Sequence, residues 1–245
     1  MKKLLIILFL MVSLISCKDK VEDLLDIYYL QGTDNDVILL DYEKFVTKYP
    51  DKALPNKIEI DGKLIQNGKE LASFNTLNKS GFQHIYTVKI TKITNFDEIK
   101  LILSQNAGKI EKKLIDIVNI TKEKYNFVLL NDVKVDKGEK EVKFKMSSLR
   151  IKEINDEYLP NSNNFILIVN NEKGRVIYNS ALGKDYLQVI SKIAPMNIGE
   201  SFTRECVWNY LDNDGKKVGK GKYNVNLVIP SKPTPYIEKT IIIID

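Results

Sequence analysis

Residues 200–228 read ESFTRECVWNYLDNDGKKVGKGKYNVNLV, and the fold is decided there. From Glu200 to Tyr210 the residues alternate in the manner of a strand, with Phe202, Cys206 and Trp208 on one face. Asp212-Asn213-Asp214-Gly215 then supplies turn chemistry, and a second strand pattern runs from Gly221 to Val228. The same grammar extends outward in both directions. Candidate strands are Phe127 to Val135, Val142 to Met146, Phe165 to Val169, Val176 to Tyr178 and Thr240 to Ile244, with Asn170-Asn171-Glu172-Lys173-Gly174 as another turn. With the two quoted strands the count is seven, the number of an immunoglobulin-like antiparallel β-sandwich. The apolar run Ile241 to Ile244 would be hazardous as an exposed edge, so a buried closing strand is expected there.

Residues 122–245 also carry a family resemblance. Val176-Ile177-Tyr178-Asn179-Ser180, Gly199-Glu200-Ser201, Val207-Trp208, Asp212 to Val218 and Gly221-Lys222-Tyr223-Asn224-Val225 follow one another in the order and spacing of the BsuPI-type intracellular proteinase inhibitor domain, which this segment resembles. Asn179 stands where the family often has tryptophan, and Lys220 where it often has proline. The resemblance implies a β-sandwich with Tyr178, Trp208, Gly215, Gly221 and Tyr223 as structural signature. Each also has a plain role in the fold: Trp208 fills a core, the glycines serve turns, and Tyr223 pins a corner. A shared fold does not carry a shared activity with it.

Upstream the pattern is mixed. Leu24, Leu25, Ile27 and Tyr28, then Tyr42, Phe45, Val46 and Tyr49, have helical spacing, and with the residues from Cys17 to Pro55 they read as a tether with short helical segments. After Pro55 the segments become short and β-branched. Ile58-Glu59-Ile60 and Lys63-Leu64-Ile65 flank Asp61-Gly62, a hairpin turn signal. Ile85 to Ile93 alternates as a half-buried strand, and Ile99 to Leu103 is another. Leu114 to Ile120 reads as strand or helix. Residues 56–121 therefore form a smaller β-rich domain ahead of the sandwich, and the chain as a whole is mainly β.

The N-terminus has its own logic. Lys2 and Lys3 precede an apolar run from Leu4 through Ile15, the layout of a signal peptide over residues 1–16. The run is shorter than the roughly 20 apolar residues of a membrane-spanning helix. It ends in Leu14-Ile15-Ser16-Cys17, which resembles the lipobox of bacterial lipoproteins. That resemblance implies cleavage before Cys17 and attachment of diacylglycerol to its thiol, hence a lipid anchor in the cell envelope. Each buried methylene of such chains contributes about 0.8 kcal/mol of membrane affinity, so two or three chains hold stably.

Composition excludes several classes of function. Loss of Lys2 and Lys3 with the leader lowers the formal charge from +5 to +3, and Arg150, Arg175 and Arg204 are the only arginines, which argues against nucleic acid. His84 is the single histidine, so no zinc site with several histidines can be built, and no G-x-S-x-G element offers a nucleophile. Asp34/Asp36 and Asp212/Asp214 do not fit a calcium loop. No catalytic residue, metal or cofactor is expected. A thioether at Cys17 would leave Cys206 as a lone thiol, expected as a small core residue.

Two exposed loops remain as interaction candidates: the basic hairpin with Lys216, Lys217 and Lys220, and the proline-stiffened segment with Pro233 and Pro235. The sequence thus points to a non-catalytic, membrane-anchored envelope lipoprotein whose C-terminal domain binds or scaffolds another envelope or extracellular protein. The alternative is a tethered proteinase inhibitor acting through an exposed loop of that domain.

Overall fold

A computed structural model of the chain describes residues 23–80, 82, 84–105, 108–125, 127–154 and 156–245. The leader and Cys17 lie outside the described residues. The described residues are mainly β, 52% strand and 8% helix, and the chain divides into two units. The first runs to Val128 and adds Ile151–Glu153 and Asn197–Gly199; the second comprises Leu129–Arg150, Ile154–Met196 and Glu200–Asp245.

The first unit is built on one antiparallel sheet of seven strands: β1 (Asp26–Leu30), β2 (Asn35–Asp41), β3 (Lys57–Gln66), β4 (Lys69–Lys79), β5 (Ile85–Thr91), β6 (Ile99–Gln105) and β7 (Gly108–Lys113), in the order β1-β2-β5-β4-β3-β6-β7. Helices α1 (Glu43–Lys48) and α2 (Leu114–Lys124) complete it, and α2 buries Leu114, Ile117 and Val118 in the core. Buried Asp36 staples the β1–β2 turn: its carboxylate accepts from the Gly32 N–H at 3.1 Å, the Ile93 N–H at 2.7 Å and the Tyr29 hydroxyl.

Two expectations for this unit are corrected and an open one is settled. The segment with Leu24, Leu25, Ile27 and Tyr28 is not helical; Asp26–Leu30 is strand β1, and because residues on both of its faces are buried, its apolar run mimics a helical stripe. Asp61-Gly62 is not a hairpin turn. It lies inside β3 at a bulge, where the register jumps between Glu59/Thr76 and Gly62/Phe74, and the missing side chain at Gly62 makes room for the Phe74 ring. The hairpin turns instead at Asn67-Gly68, both with positive φ (50° and 76°), as a two-residue loop between antiparallel strands favours. Leu114 to Ile120, open between strand and helix, is helix α2.

The second unit is an antiparallel sandwich of the expected seven strands. β8 (Leu129–Lys137), β9 (Val142–Arg150) and β12 (Ser201–Trp208) form one sheet in the order β12-β9-β8. β10 (Ile166–Asn171), β11 (Val176–Asn179), β13 (Gly221–Ile229) and β14 (Tyr236–Ile244) form the other, in the order β11-β10-β13-β14. A sheet of three strands with one of four is the immunoglobulin-like division. Phe144, Met146, Leu167, Val169, Trp208, Val225 and Leu227 fill the interior. One expectation fails here as well. The Ile241 to Ile244 run is not a buried closing strand: β14 is an edge strand, and only Ile242 of this run points fully inward, since successive side chains of a strand face opposite ways.

Candidate functional site

The signature residues come together as a core. Trp208 packs its ring against Tyr178, Tyr210 and Tyr223 at centroid distances of 6.3, 5.6 and 5.7 Å, and its indole N–H donates to the Leu211 carbonyl at 2.7 Å. The Tyr223 hydroxyl donates to the Gly219 carbonyl at 2.8 Å and so pins the approach to β13. Gly215 and Gly221 adopt φ of +79° and +150°, conformations that L side chains rarely take. Half-buried Cys206 lies on the inner-facing side of β12, where burial pushes its thiol pKa up to about 12. These residues shape the sandwich and leave its surface to the loops.

Of the candidate loops, Lys216, Lys217 and Lys220 are exposed on the hairpin between β12 and β13. The Asp212 carboxylate caps that turn, accepting from the N–H groups of Asp214 and Lys216 at 2.9 and 2.8 Å. Pro233 and Pro235 are exposed on the connection from β13 to β14, where the Ser231 hydroxyl donates to the Thr234 carbonyl at 2.6 Å. In the first unit His84 faces the buried Asp41 carboxylate, with Nε2 3.8 Å from Oδ1. The same carboxylate accepts from the Glu43 N–H at the start of α1 and from the Tyr125 hydroxyl, a set of contacts that ties elements together. Among the described residues, no group of three or more His, Cys, Asp or Glu side chains is gathered as metal ligands would be.

A third loop, which the sequence pattern did not single out, has the strongest surface chemistry. Between β11 and β12 the chain from Leu182 to Met196 has no regular structure, and it exposes Leu182, Leu187, Val189, Ile190 and Met196. Leu187 and Ile190 are 72% and 73% accessible. Such a concentration of aliphatic surface is unusual for a loop, because each of these side chains would gain about 1.5–3 kcal/mol by leaving water.

The base of the loop is held by buried charge. Ile193, Ala194 and Pro195 turn successive carbonyls toward two arginines of the sandwich. Arg150 donates from Nη2 to the Ile193 carbonyl at 2.9 Å and from Nε to the Pro195 carbonyl at 2.8 Å, while Arg204 donates from Nη2 to the Ala194 carbonyl at 2.5 Å. Both guanidinium groups are buried. Burial, with Arg150 alongside, lowers the Arg204 pKa to about 10. Arg204 also stacks on the Phe202 ring at 4.9 Å.

Three consecutive residues lace the surroundings together. Glu157 takes an ion pair from Arg150 and a hydrogen bond from the Tyr236 hydroxyl. Partial burial, and then the Glu157 carboxylate beside it, hold the Tyr236 proton well above the usual phenol range. Tyr158 and Lys232 exchange backbone hydrogen bonds at 3.1 and 2.8 Å, which fixes the proline loop. Leu159 and Ser191 do the same at 2.8 and 3.2 Å, and Ser162 binds Leu187 through both its N–H and its hydroxyl. Gln188, Val189 and Ile190 are therefore a short tip between two anchored points. Arg150 and Arg204 were legible only as scarce arginines, although period-two alternation sets Arg204 on the same face of β12 as Cys206 and Trp208.

No protein-family model matches the chain, and no curated protein matches it. Among solved structures, the chain is similar to dimeric latent PorU from Porphyromonas gingivalis, at 12% identity over 89% of this chain with a TM-score of 0.31. It spans only 20% of the length of that protein. It is also similar to a "putative carbohydrate binding protein" from Bacteroides uniformis, at 10% identity over 76% of this chain and 88% of the other, with a TM-score of 0.30.

Proposed function

We propose that the chain is a non-catalytic lipoprotein, anchored at Cys17 in the cell envelope, whose C-terminal sandwich binds or scaffolds another envelope protein through the loop Leu182 to Met196. The observation that carries this reading is the exposed aliphatic surface of Leu187, an anchor residue, and of Val189 and Ile190 at the tip, on a base that buried arginines hold in place. Recognition residues concentrate on loops positioned by a rigid scaffold, and a pre-ordered loop loses less conformational entropy on docking. Full burial of these three side chains contributes roughly 4.5–9 kcal/mol before the costs of association.

The test is a comparison of the lipidated chain with its Leu187→Ser, Val189→Ser, Ile190→Ser variant, each used to capture partners from detergent-solubilised envelope. One stoichiometric partner retained by the native chain and lost by the variant is the expected result. Capture that is indifferent to the triple substitution refutes the loop as the docking element. The tethered-inhibitor reading draws on the same geometry, because anchor points at Leu187 and Ser191 hold the tip as a protease-blocking loop would be held. Titration against a panel of serine proteases separates the two readings: inhibition at micromolar concentration, abolished by the triple substitution, favours the inhibitor.

A further inference from the structure

The two arginines at the base of the loop are satisfied unequally. Every nitrogen of the Arg150 guanidinium has an acceptor: the Glu157 carboxylate at Nη1, the Pro195 carbonyl at Nε and the Ile193 carbonyl at Nη2. Arg204 is only half engaged. Its Nη2 holds the Ala194 carbonyl, its Nη1 reaches the Ser148 hydroxyl at 3.4 Å, and its Nε is buried with no acceptor among the described residues. The residue as a whole is 4% exposed.

The charges do not balance either. Glu157 serves Arg150 and the Tyr236 hydroxyl, and among the described residues no carboxylate lies within ion-pair distance of Arg204. The charge that acts on Arg204 is the like charge of Arg150, and no acidic group offsets it. Two guanidinium groups and one carboxylate leave one positive charge uncompensated at a buried position, where an unpaired ion is costly and an anion that completes it is held strongly. The approach is apolar and short. The Phe202 ring lies on the Arg204 guanidinium at 4.9 Å and is 41% exposed, and Met196, two residues beyond the Ala194 carbonyl, is 56% exposed.

We propose that Arg204 is the receptor for one aliphatic carboxylate, which enters beside Phe202 and Met196 and accepts from Nε. Charge and shape choose the ligand class. One negative charge completes the balance, whereas a dianion such as sulfate overshoots it, and a planar carboxylate matches the edge of a guanidinium. The exposed Phe202 and Met196 side chains favour a carboxylate with an apolar neighbour over a bare anion. A free aliphatic acid and the C-terminus of an apolar peptide share this chemistry. The site lies at the base of the loop and does not depend on docking at the tip.

Nuclear magnetic resonance of the full chain labelled with nitrogen-15 arginine tests this, because three arginines give at most three Nε–H signals. The Arg204 signal is identified by its loss in Arg204→Lys or, if that variant does not fold, by its contact with the Phe202 ring protons. Sodium acetate, N-acetyl-leucyl-leucine and the C-terminal amide of that dipeptide are titrated in detergent at constant ionic strength and about pH 6, where carboxylates are ionised. Both acids are expected to move the Arg204 signal to saturation, with a midpoint at or below about 1 mM for the dipeptide, while the amide and sodium chloride leave it in place. A dipeptide bound at least about tenfold more tightly than acetate assigns the site to a peptide terminus, and a smaller ratio assigns it to a free acid. The Leu187→Ser, Val189→Ser, Ile190→Ser variant is expected to titrate like the native chain, so this site and the docking tip stand or fall separately. No saturable movement with either acid, as a buried water at Nε would give, or the same movement with the amide or chloride, overturns the proposal.

Discussion

Arg150→Ala offers the sharpest probe of how the apolar loop is held. The substitution removes the ion pair with Glu157 and the donors to the Ile193 and Pro195 carbonyls, all at a buried position. Glu157, itself largely buried, is left with the Tyr236 hydroxyl as a neutral partner. Truncating one member of a buried ion pair costs about 3–5 kcal/mol, chiefly because the remaining charge stays out of water. That is a large share of the 5–15 kcal/mol by which domains are typically stable, and it lowers the folding equilibrium constant by about two to three and a half orders of magnitude. The assay is urea unfolding followed by Trp208 fluorescence, which reports the sandwich alone because the chain has no other tryptophan. Glu157→Gln supplies the second arm of a cycle. With the carboxylate already neutral, Arg150→Ala should cost about 1–2 kcal/mol less than in the native background, and the remainder belongs to the orphaned carbonyls. A loss under about 1 kcal/mol in the native background, or equal losses in both backgrounds, refutes the clamp.

Two further outcomes are expected. Cys206 ionises near 9 when unfolded and near 12 in the sandwich, so the unfolded chain binds fewer protons in that window and the thiol's contribution to stability falls as pH rises from about 9 to 12; correspondingly, alkylation at pH 8 should be slow in the native chain and fast in denaturant, and equal rates would contradict the burial. Gly62→Ala sets a Cβ 2.1 Å from the Phe74 ring and should destabilise the first unit by about 1–3 kcal/mol in circular-dichroism melts, with partial recovery when Phe74→Leu is added; an unchanged melt would show that the ring is not confined by the bulge.

The sandwich was legible because its strands alternate between one buried and one solvated face. The β12 and β13 patterns sit within two residues of their places in the structure, and Asp212 to Gly215 turns the chain as its residue types require. Where both faces of a strand are buried, as in β1, the period vanishes and a run such as Leu24 to Tyr28 imitates a helix. The opposite happens at Ile241 to Ile244. Four identical residues hide an alternation in which Ile242 is inside while Ile241 and Ile243 are out. At Asp61-Gly62 the turn chemistry was real but served a bulge, because the strand continues through it and Gly62 yields its space to Phe74. The apolar loop escaped for a different reason. Its anchors, Arg150, Glu157 and Arg204, lie on three separate segments, and only the tertiary fold brings them to the Ile193–Pro195 carbonyls.

The lacing at Glu157 to Leu159 has a consequence for how such a surface can change over generations. Tyr158 and Leu159 grip the two loops through main-chain groups at Lys232 and Ser191, and the arginines grip carbonyls. Backbone contacts are blind to side-chain identity. Gln188, Val189 and Ile190 can therefore be exchanged without disturbing the grip, and the molecule separates what must be kept from what can be rewritten. A chain with this construction can acquire a new specificity by drift at its loop tip while its frame is inherited intact.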